Sequence, residues 1–162
     1  MKHLFPIIFL CLLVSSCNNG KNEGTTEEIP ADEFGPEVKN DPFSALGIRS
    51  DGHYKEESGG VIYLIRFFPN GNAVLINGLP ETADELPTYL TSDAIGDPGM
   101  GWYNVPVTIR EDSIFFKTYP FKGEISYSGN VPSTSTVRLL RHSHINGQRT
   151  IKEYVFQPDP SR

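Results

Sequence analysis

Apolar and polar residues alternate in short runs over most of residues 52–157. Alternation with a period of two is the mark of a half-buried strand. Residues 61–68 are the densest run, rich in branched and aromatic side chains that suit a pleated surface. Pro69, Asn70 and Gly71 then supply turn chemistry, and residues 72–76 complete a β-hairpin. Within the first of these strands Tyr63, Ile65 and Phe67 share one side. Ile62, Leu64, Arg66 and Phe68 share the other, where Arg66 interrupts the apolar row. The first set is therefore placed inside.

The same grammar continues downstream. Strands are expected at 102–109, 113–118, 123–129, 136–142 and 150–157, with a short first strand at 53–57. Pro106 makes the 102–109 strand an edge or a bulged one. Arg110 to Asp112, Pro132 to Ser135 and Asn146-Gly147 read as turns. Seven or eight short strands joined locally predict an all-β antiparallel meander, closed or partly closed into a small barrel. Residues 79–101 break the rhythm with three prolines and three glycines. A loop of that length is uncommon unless it is functional or mobile. It reads as a surface excursion or as a lid over one barrel end, with one or two helical turns at 83–90 limited by Pro87.

The amino terminus follows another pattern. Met1, Lys2 and His3 precede an apolar stretch at 4–14 that is too short to span a bilayer. A basic start, a short apolar centre and small residues before a cut mark a secretory signal. Val14, Ser15 and Ser16, followed by Cys17, resemble the lipobox of bacterial lipoproteins. That resemblance implies cleavage after residue 16, a diacylglycerol on the Cys17 thiol and acylation of its new amino group. The competing reading is an ordinary secretory signal with an incidental cysteine. Asn18 is not the aspartate that marks inner-membrane retention in enteric bacteria, so the resemblance favours the outer membrane, facing the periplasm or the cell surface.

Residues 18–42 hold seven acids, two lysines and almost no apolar side chains. Such a segment cannot bury enough apolar area to offset its ordering entropy, and it reads as an acidic tether. As a flexible coil its 25 residues reach roughly 25–30 Å. The expected organisation is a signal at 1–16, a lipidated cysteine and tether at 17–42, and a β-barrel domain at 43–162.

Charge removes some partners. The chain has 14 basic and 20 acidic residues, and loss of Lys2 with the signal leaves 13 against 20, a net of −7. That balance argues against nucleic acid, which needs clustered Lys and Arg. Cys11 and Cys17 are the only cysteines, so the barrel domain has no disulfide to rely on. Membrane attachment is expected through the lipid on Cys17.

Chemistry-bearing constellations are few. Nucleophile-elbow and phosphate-loop motifs are absent from the sequence, and no cofactor is called for. The acid pairs Glu56-Glu57, Asp84-Glu85 and Glu111-Asp112 read as solvated charge. His142 and His144 share one strand face at a spacing that can begin a zinc or copper site, with His53 or a carboxylate as the third ligand. The competing reading is a polar strand end whose rings bond to the backbone of the next turn. Tyr63, Ile65, Phe67, Trp102, Tyr127, Tyr154 and Phe156 are the candidate lining of an apolar ligand site, unless they are simply core.

The strand set, with residues 65–71 early, 141–147 late and Tyr154, Val155 and Phe156 at the end, resembles the small lipocalin-like domains of envelope lipoproteins. The resemblance implies a meander barrel and leaves its ligand open. True lipocalins carry Gly-x-Trp on their first strand, whereas Trp102 follows Gly101 directly in mid-chain. The expected function is a tethered, non-catalytic binding module for a small apolar or amphipathic ligand. The alternative is an interaction protein that docks on another envelope protein or a glycan without a small ligand.

Overall fold

Eight staves close the wall, and one of them is broken. The computed structural model describes residues 41–159. The signal, Cys17 and most of the tether lie outside the described residues. Nine strands form a single antiparallel sheet: β1 Gly52–Ser58, β2 Val61–Phe67, β3 Asn72–Gly78, β4 Tyr103–Pro106, β5 Thr108–Arg110, β6 Ser113–Thr118, β7 Ile125–Ser133, β8 Thr136–Ser143 and β9 Arg149–Pro158. Each strand pairs with its sequence neighbours except that β4 and β5 do not pair with each other. β1 also pairs with β9, which joins the first strand to the last. β4 pairs with β3 and β5 pairs with β6, while Val107 separates the two halves of what is one stave. The expected seven or eight strands thus become nine because the proline-bearing stave is split.

The physical cause of the split is Pro106. Val107 N–H donates to Gly71 O at 3.0 Å, on the β3 side. Amides alternate sides along an extended chain, so residue 106 faces the β6 side. A proline there has no N–H to give. β4 therefore holds to β3 but not to β6, and the seam between β4 and β6 stands open.

Inward parity is that of the sequence pattern. Ile65, Phe67, Ile114, Phe116, Val137, Leu139, Tyr154 and Phe156 are buried in one core. An eight-stranded barrel is just wide enough for its side chains to fill. One end is stoppered by the turn around Ser44–Leu46, whose flanking Phe43 and Ile48 are buried in that core. Phe43 meets Phe67 at 5.2 Å between centroids, and Tyr54 lies edge-on to Phe156 at 5.3 Å. Arg49 N–H donates to the Tyr54 hydroxyl at 2.9 Å, so the deepest tyrosine has its polar tip satisfied at that stopper.

The long segment after β3 is neither a bare excursion nor a lid over a barrel end. It makes 3-10 turns at Pro80–Thr82 and Leu86–Tyr89 and lies against the outer wall of β2 and β3. Leu86, Leu90 and Ala94 bury Ile62, Leu64, Val74 and Ile76 in a second, external core. Trp102 and Tyr89 pack edge-on at 5.5 Å, and Trp102 Nε1–H donates to Tyr89 O at 3.0 Å. The apolar run at 61–68 is continuous because β2 is covered on both faces. β7 extends to Ser133, through Pro132, with an irregularity between Asn130 and Ser133, where a turn alone was expected.

Candidate functional site: a seam cleft and a polar mouth

Two concavities matter. The larger is a cleft of about 580 Å³ at the open seam, lined by Val105, Pro106, Thr108, Phe115, Phe116, Tyr119 and Tyr127, with Arg110 and Lys117 beside them. Phe116 and Tyr127 are inward residues and stack at 4.7 Å. The cleft therefore reaches through the wall to the edge of the core. Its chemistry is an apolar trough with basic groups at the margin, of which Lys117 is paired with Glu124 at 3.0 Å.

The smaller is a cavity of about 60 Å³ at the end opposite the stopper. That is room for about two waters. Inward positions here turn polar. Lys152, 6% exposed, donates to Glu56 Oε2 and to Ser58 Oγ, each at 2.7 Å, and its Nζ sits 3.7 Å over the Tyr63 ring. A buried ammonium is tolerable only with such partners. Glu56 is thus not solvated charge, as its pairing with Glu57 in sequence suggested; Glu57 keeps to the exposed face. Arg141, inward on β8 opposite Tyr127, lines the same cavity with Asn77, Tyr103 and Tyr154. Burial pushes the Tyr127 phenol up, and pushes that of Tyr154 well up, so both hydroxyls stay protonated.

Six of the seven expected ligand residues face the interior, but they do not surround one space. Tyr63, Ile65, Tyr127 and Tyr154 line the small cavity, whereas Phe67 and Phe156 are packed deep beside the stopper. Trp102 is outside the barrel altogether, in the external core, because its strand has not yet begun at that residue. The interior of the barrel is packed rather than hollow. What the sequence reading missed is the lining from Phe115, Thr108 and Tyr119; the signal available was Pro106, which denies a hydrogen bond to one neighbour.

His142 and His144 do come together, with centroids 4.0 Å apart. They sit on the outer wall at the end of β8. His144 Nε2 is 2.9 Å from Ser126 Oγ and 3.5 Å from Glu124 Oε1, so its partners are side chains rather than turn backbone. Loss of solvation, and then the neighbouring His144, hold the His142 imidazole below its usual range. His53 is at the stopper end, buried, with Nδ1 3.7 Å from Asp159 Oδ1. Among the described residues no group of three or more His, Cys, Asp or Glu is gathered in an arrangement that would hold a metal ion.

No family model matches the chain, no curated protein matches it, and no solved structure matches it. The functional reading therefore rests on the residues and geometry alone.

Proposed function

We propose that the chain is a lipid-anchored envelope protein whose barrel is a non-catalytic binding module for a small apolar or amphipathic ligand, taken up at the seam cleft. The observation that carries this reading is the cleft itself: about 580 Å³ of mainly apolar lining beside two basic residues, in a barrel whose interior is otherwise filled. Pockets of a few hundred Å³ with apolar walls and a few polar groups are the usual form of small-molecule sites. Anchoring rests on Cys17 and the small residues before it, and the outer membrane on Asn18. Intact mass of the protein purified from cells tests the anchor: diacylglyceryl and acyl groups on a chain beginning at Cys17 are expected, and an unmodified polypeptide overturns it.

The neutral dye Nile red tests the cleft. Its fluorescence should rise on binding. Phe115→Asp with Tyr119→Asp should weaken binding about tenfold, because two charges then stand in the trough. Both residues are partly exposed, so the fold is retained. Dye binding unaltered by the pair, or no binding at all, overturns the cleft as the ligand site.

A second reading has its own observation. Ile95 is 92% exposed and Phe121 83% exposed, in loops beside the cleft. Exposed apolar groups gathered at one edge favour docking on another envelope protein. Site-specific crosslinking from position 121 in cells should then recover a heterologous adduct, and recovery of monomer only rejects it.

A further inference from the structure

The polar mouth contains a half-buried guanidinium with no carboxylate partner among the described residues and a buried hydroxyl that completes no hydrogen bond. Glu56 and Lys152 neutralise each other there. Among the described residues no carboxylate pairs with Arg141, although its side chain lines the cavity. Thr118 is only 1% exposed, lines the same cavity, and its Oγ1 completes no hydrogen bond. A buried hydroxyl without a partner costs free energy that folding alone does not explain. The Tyr127 hydroxyl is a polar neighbour of both, close enough for both to favour its ionised form, although Thr118 Oγ1 does not reach hydrogen-bond geometry with it. Three donors of different kinds, a guanidinium, an alcohol and a phenol, thus converge on a space of about 60 Å³ walled by tyrosine rings.

We propose that this mouth is a carboxylate-binding site, with Arg141 as the counter-ion and Thr118 and Tyr127 as hydroxyl donors. The charge count selects the ligand class. One unpaired cation matches one negative charge, so a carboxylate is favoured over a phosphate dianion. The planar guanidinium fork suits two carboxylate oxygens side by side. The volume admits the carboxyl end of a molecule but not a chain folded inside the barrel. The carboxylate is either a free small acid or the end of a longer molecule that leaves through the mouth. This site shares Tyr127 with the seam cleft but is otherwise lined by different residues, and its test does not depend on the cleft.

The test is calorimetric titration of the full chain with sodium acetate, sodium octanoate and sodium phosphate at matched ionic strength. Acetate or octanoate should bind at millimolar concentration and more tightly than phosphate. Octanoate above acetate assigns the site to the end of a longer molecule; acetate equal or above assigns it to a free small acid. Arg141→Gln should weaken the carboxylate about tenfold or more, as loss of a charge-assisted pair does. Thr118→Val should weaken it several-fold while leaving the melting temperature of the ligand-free protein equal or higher, since an unsatisfied hydroxyl has been removed at constant volume. That split separates a ligand group from a merely structural one, and it stands even if Arg141→Gln fails to fold. No carboxylate binding, binding unaltered by both substitutions, or tighter binding of phosphate overturns the proposal.

Discussion

The two halves of the barrel wall differ most in their outward rows. On β2 and β3 the outward residues Ile62, Leu64, Val74 and Ile76 are as dry as the core. On β6 to β9 the corresponding outward row runs Phe115, Ser128, Leu140, Ile151 across four paired strands, and it faces solvent, Ile151 at 65% exposure. The difference is the segment between β3 and β4, which folds back over one half only. Strand β2 therefore reads as an unbroken apolar run, while β6, β8 and β9 alternate. A barrel wall can be one-sided or two-sided in the same sheet, and what decides is whether 20-odd residues of neighbouring chain are spent on covering it.

The sharpest way to break this contrast is to truncate one outward residue on each half. Leu64→Ala should cost about 2–5 kcal/mol, because it opens a cavity under the covering segment. Ile151→Ala, also outward, should stay within about 0.5 kcal/mol. Denaturant midpoints measure both, and equal losses would erase the distinction between the halves. A smaller effect is expected from Trp102→Phe. It removes the indole N–H bond to Tyr89 O and part of the edge-on packing, a loss of about 1–2 kcal/mol. Amide hydrogen exchange should quicken in residues 79–102 while β6 to β9 remain protected; uniform quickening would mean that cover and barrel open as one unit.

The smallest effect is a titration. Burial holds His53 below the usual imidazole range, ahead of the opposing pull of Asp159. Above about pH 6.5, the unfolded value, neither state binds the proton and nothing is lost. As pH falls below it the unfolded chain is protonated first, and stability declines until the folded-state value is passed. His53→Gln should flatten that acid limb of melting temperature against pH. His142→Gln, on the bare wall, should leave the limb nearly unaltered because water screens that ring. An identical flattening in both variants would deny the difference in burial.

Much of this wall was legible from residue order alone. The hairpin at 61–76, the turn at Asn146-Gly147 and the inward set Tyr63, Ile65, Phe67, Tyr154 and Phe156 all follow from local alternation and turn chemistry, which the fold keeps. Three features did not follow, each because it depends on how strands and loops pack against one another rather than on local alternation. Lys152 and Glu56 are 96 residues apart. Neither acquires its inward role until β9 is laid beside β1. Trp102 looked like barrel lining because its neighbours are strand residues, yet it closes the external cover. The seam cleft arises where two strands fail to bond, and a failure of pairing has no pattern of its own beyond Pro106.

That proline has a consequence for life in a crowd. A sheet rolled until its first and last strands meet leaves almost no backbone free to recruit a foreign strand. Among the described residues, short unpaired flanks remain at 103–106, at 108–110 on the side away from β6, at the facing stretch 116–118, and on β1 beyond residue 55. The first is interrupted by an imino acid, and residues of the first three line the seam cleft rather than an open rim. Copies brought close together would thus meet mainly through side chains, because the flanks open to sheet extension between them are short.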